Sequence, residues 1–111
     1  MPAAYTPRDL FRAGNATGPK LDVRAKDVIV FPYNNDVWVI AYSGGVSVWD
    51  AVRVALRGPW YQLPAGTVYD DAALYPYDDQ RGHWTLQPAR HMRLAEYVAA
   101  LATLAPKFIR V

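Results

Sequence analysis

Alternating and helically spaced apolar residues divide this chain into many short elements and one long one. Asp9 to Ala13 (DLFRA) predicts a short strand, followed by a Gly-Asn-Ala-Thr-Gly-Pro loop. Asp27 to Phe31 (DVIVF) is a β-branched run, and Pro32 to Asp36 supplies turn chemistry after it. Val37 to Tyr42 (VWVIAY) is apolar at both parities, which predicts a strand covered on both faces and hairpinned to the preceding run. Beyond Ser43-Gly44-Gly45 the pattern predicts a middle helix. Ser47 and Asp50 have capping-box spacing, Val48, Val52, Ala55 and Leu56 share a helical face, and Gly58 supplies a stop. Trp60 to Leu63, Thr67 to Tyr69, Leu74 to Tyr77 and His83 to Gln87 are short strands between Pro, Gly and Asp punctuation. Leu94, Tyr97, Val98, Leu101 and Leu104 then recur at helical spacing until Pro106. The expectation is one α+β domain over residues 1–111: a strand-rich body, a middle helix and a C-terminal amphipathic helix.

Composition narrows the function classes. A chain of 111 residues with 52% apolar and 20% charged residues suits one domain with a real core. No run approaches ~18 apolar residues, and MPAAYTPRDLF lacks a basic head followed by an apolar stretch. Neither a membrane span nor a secretory signal is expected, which predicts a cytoplasmic site of action. The chain has no Cys, so disulfides, zinc–thiolate sites and cysteine nucleophiles are excluded. His83 and His91 are its two imidazoles, too few for a histidine-rich metal site, and no metal is expected. His91 reads as a surface or helix-entry residue. A net charge of +2 is no nucleic-acid footprint. Fifteen aromatic residues (four Trp, eight Tyr, three Phe) serve either a core or a cleft that stacks on a planar ring. Nine of the ten acidic residues are Asp; the one Glu is Glu96.

Three segments carry candidate chemistry. Arg12, inside LFRAG, is costly to bury without a partner. Its planar fork suits a ligand phosphate or carboxylate, or else it bonds Asp9 or a loop carbonyl. In GGVSVWD, Gly44 and Gly45 allow close backbone approach, and Ser47 is either a cleft hydroxyl or a helix N-cap. In HWTLQP, His83, Thr85 and Gln87 share one strand face and Trp84 and Leu86 the other. That polar row either lines a site or is the solvent face of an edge strand. Asp78 and Asp79 before it read as turn residues.

The order of these pieces resembles the type VI secretion exported effector-two (Tse-two) toxin family. Its members share an arginine-bearing first strand, a GG(T/L/V)S(V/L)(F/W)D segment, an (I/L)PxGT turn, an aspartate before the last strand, and HYT(I/L)xPAxxM. Here these match Arg12, Gly44 to Asp50, Leu63 to Thr67, Asp78 or Asp79, and His83 to Met92. The resemblance spans the chain from about Asp9 to the C-terminal helix. It implies an ADP-ribosyltransferase-like fold that takes NAD as substrate, in a cytotoxin neutralised by a cognate immunity or antitoxin protein. By the same correspondence Arg12, Ser47 and His83 would be catalytic. Arg12, Gly45, Ser47, Trp49 and Thr85 would bind NAD, Thr85 or Gln87 would share the third position with His83, and Tyr42, Trp49 or Trp84 would stack on nicotinamide. The usual Glu of the last strand has no counterpart, because Glu96 belongs to the C-terminal helix; Asp78 or Asp79 can stand in where their loop folds back over the cleft. Two other readings compete: a small metal-independent ribonuclease using His83, Arg12 and Thr85, and a non-enzymatic partner-binding domain with an aromatic interface.

Overall fold

The computed structural model describes residues 3–53 and 58–111. In chain order the strands are β1 (Ala4–Tyr5), β2 (Leu10–Asn15), β3 (Gly18–Pro19), β4 (Val30–Tyr33), β5 (Asp36–Val39), β6 (Val46–Trp49), β7 (Trp60–Leu63), β8 (Val68–Tyr69), β9 (Leu74–Asp78), β10 (His83–Pro88) and β11 (Met92–Arg93). Helix α1 (Leu94–Leu104) follows, then a 3-10 turn at Ala105–Lys107 and β12 (Ile109–Arg110). The main sheet runs β12-β7-β2-β6-β10-β9, with β3 hairpinned onto β2. A smaller sheet, β11-β5-β4, and the pair β1-β8 complete the α+β body. Among the described residues no helix is long and apolar enough to cross a membrane.

Pleating sorts the side chains. Leu10 faces Leu63 across β2 and β7, and Val46, Val48 and Leu86 lie on the inner face of β6 and β10; all five are buried. Against them α1 sets Tyr97, Leu101 and Leu104, an i, i+4, i+7 stripe. Tyr97 does more than fill space. Its hydroxyl accepts from the Val46 N–H at 3.2 Å and donates to the Leu86 carbonyl at 2.6 Å, bridging β6 and β10 where their ladder ends. Val98, counted on the helix's apolar face, is instead exposed. Glu96 spends its carboxylate on the start of α1, accepting from the Arg93 N–H and Nε at 3.2 and 3.1 Å.

Several expectations are corrected. The segment assigned to the start of a middle helix is strand β6 up to Trp49, and Asp50 to Arg53 are not helical. Ser47 is therefore no N-cap; Ala55 and Leu56 lie outside the described residues. Tertiary pairing overrides the local capping signal: Ser47 pairs with Thr85 of β10, and Trp49 with both His83 and Phe11. The run DVIVF starts its strand late, at Val30, because Asp27 closes a turn by accepting from the Arg24 N–H at 2.8 Å. Pro32 and Tyr33 belong to that strand, where Pro is tolerated because β4 is a sheet edge. The hairpin turn itself is Asn34-Asn35, both with positive φ, as a two-residue type I′ turn requires. Its second strand is not covered on both faces, since Val37 is exposed. Finally, β10 is no edge strand: it lies between β6 and β9, and Thr85 and Gln87 are buried.

Candidate functional site

Arg12, Ser47 and His83 lie on the adjacent strands β2, β6 and β10. The ladder between β2 and β6 is the single pair Phe11 with Trp49. Where that pairing stops, the Arg12 guanidinium takes over, donating from Nη1 to the Ser47 carbonyl and from Nε to the Lys20 carbonyl, both at 2.7 Å. Arg12 is thus fixed by loop and strand carbonyls rather than by Asp9, whose carboxylate accepts from the Ala65 N–H. Burial pulls the Arg12 pKa below its ordinary value and the charge of Arg24 adds to this, while Asp27 and Asp22 oppose both. A group of permanent charge held in this way leaves a positive potential at the split between the strands.

Ser47 is the hub. Its carbonyl holds Arg12, and its hydroxyl meets His83 Nε2 at 2.9 Å on the other side. His83 Nδ1 meets Asp79 Oδ2, also at 2.9 Å. The carboxylate is brought there by the β9–β10 turn, in which Gln80, Arg81 and Gly82 all have positive φ and the Asp79 N–H donates to the His83 carbonyl. Thus Asp79 reaches the imidazole from its exposed side and lines neither of the hollows described below, so the loop does not cover the cleft, whereas Asp78 caps the turn by accepting from the Gln80 N–H. The imidazole is braced from one side by Trp49, with ring centroids 4.5 Å apart, and Arg53 stacks on Trp49 at 4.6 Å.

Two hollows meet at Arg24. One, of about 330 Å³, is lined by Arg12, Lys20, Arg24, Trp49 and Trp60 together with the backbone around Ala13 and Gly14. The other, of about 260 Å³, is lined by Arg24, Lys26, Asp27, Gly44, Gly45, Ser47, His83 and Thr85. Of the expected cofactor contacts, Trp49 and Arg12 therefore open onto the first, and Gly45, Ser47 and Thr85 onto the second. Lys20, Arg24 and Lys26 went unread in the sequence, and Asp27 was read only as the start of a strand. The signal that was present is the R-x-x-D spacing of Arg24 and Asp27, which makes a turn and an ion pair at 3.4 Å.

The remaining candidates lie elsewhere. Gln87 donates to the buried Thr85 hydroxyl and lines a separate hollow of about 590 Å³ with Tyr42, Tyr75 and Tyr77. Trp84 packs against the core on the opposite face of β10 from His83, so it does not reach the imidazole's hollows. His91 accepts from the Ala41 N–H and sets its ring edge-on to Phe31. Gly44 and Gly45 approach protein backbone rather than open space: a Cβ on Gly44 would overlap the Asp27 carbonyl oxygen, and one on Gly45 that of Leu86. Among the described residues no group of three or more His, Asp or Glu is arranged to hold a metal ion. Comparison of the chain with protein-family models, with curated proteins and with solved structures gives no match.

Proposed function

We propose that this protein is a cytotoxic enzyme that binds NAD across the two hollows and cleaves its nicotinamide–ribose bond, by ADP-ribosyl transfer or hydrolysis. The observation that carries this reading is the hydrogen-bonded chain Arg12–Ser47–His83–Asp79 across three adjacent strands, flanked by Lys20, Arg24 and Lys26. Bond cleavage needs three things from the protein. The diphosphate must be held, for which cationic walls are suited. The planar ring must be stacked; Trp49 lines the hollow beside Arg12. Positive charge develops on the ribose, and the Asp79–His83 pair supplies the negative end of a fixed dipole. His83 Nε2, held against the Ser47 hydroxyl, is placed to take a proton from an incoming acceptor or water. The reading does not require Glu96, which serves the helix start.

Such an activity harms the cell that makes it, so an immunity or antitoxin protein covering this face belongs to the same proposal. Incubating the purified chain with NAD labelled in the adenylate half, with and without cell lysate, tests it. Free nicotinamide together with labelled protein or free ADP-ribose is expected, and both are lost in Arg12→Ala. Absence of both products from the native chain, with Arg12→Ala still fully toxic, overturns it. Degraded total RNA on induction would instead favour the ribonuclease reading.

A further inference from the structure

The geometry of the Ser47 hydroxyl carries a second chemistry, which does not depend on NAD. An ionised Asp79 can only accept, so the proton between it and His83 sits on Nδ1, and in the neutral ring Nε2 is left with its lone pair. That lone pair lies 2.9 Å from Ser47 Oγ, so the serine donates to it. Nucleophile, base and orienting carboxylate thus stand in one hydrogen-bonded line, the arrangement by which a serine is activated for covalent catalysis on unrelated folds. Around Oγ the wall is made of small groups, Gly44, Gly45 and Thr85, in a hollow of about 260 Å³. Arg24, Lys26 and Asp27 line the same hollow; Asp27 accepts from Arg24, and the two cations outnumber the one carboxylate, which suits a substrate anion.

We propose that Ser47 is a catalytic nucleophile, with His83 as its general base and Asp79 as a positioning residue, in the hydrolysis of small esters that carry a negative charge. Ser47 Oγ bonds to the acyl carbon while its proton passes to His83 Nε2. The tetrahedral adduct collapses, its bond to the leaving oxygen breaks, and the departing alcohol takes that proton. Water, deprotonated by the same nitrogen, then attacks the acyl-enzyme, releasing the carboxylic acid and restoring the Ser47 hydroxyl. No co-reactant other than water is needed.

The test uses the full chain and a fluorophosphonate probe, which forms a P–O bond to an activated serine with loss of fluoride. One adduct per chain is expected, mapped to Ser47 by peptide mass spectrometry. His83→Gln is expected to abolish it. Asp79→Asn is expected to slow labelling at least tenfold, the direction seen when an orienting carboxylate is lost from such a line. Asp79→Glu is expected to recover part of the rate, with the melting temperatures of all three carboxylate-site proteins unchanged. With 4-nitrophenyl esters, the succinate monoester should turn over faster than the uncharged acetate. Native protein that takes no adduct on Ser47, or equal labelling in His83→Gln, overturns the proposal. Nicotinamide release without an adduct would leave the NAD reading standing and remove this one; an adduct without nicotinamide release does the reverse.

Discussion

At the scale of single residues, Ser47 and Gly45 show how tightly the site is bound into the sheet. Gly45, just before β6, passes the Leu86 carbonyl too closely for any side chain. Gly45→Ala forces those strands apart, and overpacking of this kind costs about 1–3 kcal/mol. Urea unfolding should show the loss, with the Ser47–His83 contact disturbed beside it. Arg12 makes a contrasting case. Its guanidinium answers the Ser47 and Lys20 carbonyls, so Arg12→Ala leaves two acceptors without their donor, at about 1–3 kcal/mol. Arg12→Lys keeps the charge but not the fork, and is expected to fall between wild type and Arg12→Ala both in stability and in dinucleotide binding. Equal behaviour of the Lys and Ala variants would mean that the fork, not the charge, is what matters. The LFRAG stretch made Arg12 conspicuous because a cation interrupts an apolar run. Ser47 was conspicuous for two roles, a helix N-cap, which it does not fill, and a cleft hydroxyl, which lines the hollow beside His83.

At the scale of elements, strands marked off by their own residues and flanking turn punctuation were readable and those fixed by neighbours were not. The segments β7 and β10 follow from their own residues, and α1 from the spacing of Tyr97, Leu101 and Leu104. Segment β6 does not, since Ser47, Val48 and Asp50 fit a helix start equally well, and only pairing with β10 decides the matter. The pairing has its own clamp in Tyr97, whose hydroxyl joins the two strands. Tyr97→Phe removes the donor to the Leu86 carbonyl and the acceptor for the Val46 N–H together, so a cost of about 2 kcal/mol is expected. Burial pushes the Tyr97 hydroxyl pKa up to about 12 from 10.0, which fixes the sign of a pH effect. Below pH 10 the phenol is neutral in both folded and unfolded chains and its contribution is complete. Between pH 10 and about 12 the unfolded chain ionises first, so stability falls as pH rises, by up to about 1.4 kcal/mol per pH unit. Urea midpoints measured across this window should drop in the wild type, with the Tyr97 share of the slope missing from Tyr97→Phe. An identical slope in the two proteins would show that the hydroxyl is not held in the core.

For the whole molecule, the distribution of charge says more than its sum. The net charge is only +2, yet Arg12, Lys20 and Arg24 line one hollow and Arg24 and Lys26 the next. Asp27 is a carboxylate among them, and its oxygens accept from Arg24 itself. Nothing in the composition revealed this concentration, because it is assembled from β2, the loop after β3 and the turn before β4, which are brought together only by folding. A mild average therefore conceals a local field, and a cleft with low-dielectric walls focuses such a field on an anionic ligand. The expectation is that NAD quenches or shifts the emission of Trp49, which lines the same hollow as Arg12 and Lys20, and that the apparent affinity falls as salt is raised. Lys20→Glu combined with Lys26→Glu should weaken binding at least tenfold at low salt, equivalent to about 1.4 kcal/mol. The same pair should flatten the salt dependence, because the charges being screened are gone. Arg90→Glu supplies the control: it changes the net charge from the exposed segment beyond the Pro88 end of β10, the end away from His83, where Arg90 pairs with Glu96. If the effect belonged to the overall charge, Arg90→Glu would reproduce about half of it. If it belongs to the cleft, Arg90→Glu leaves both affinity and salt slope where they were.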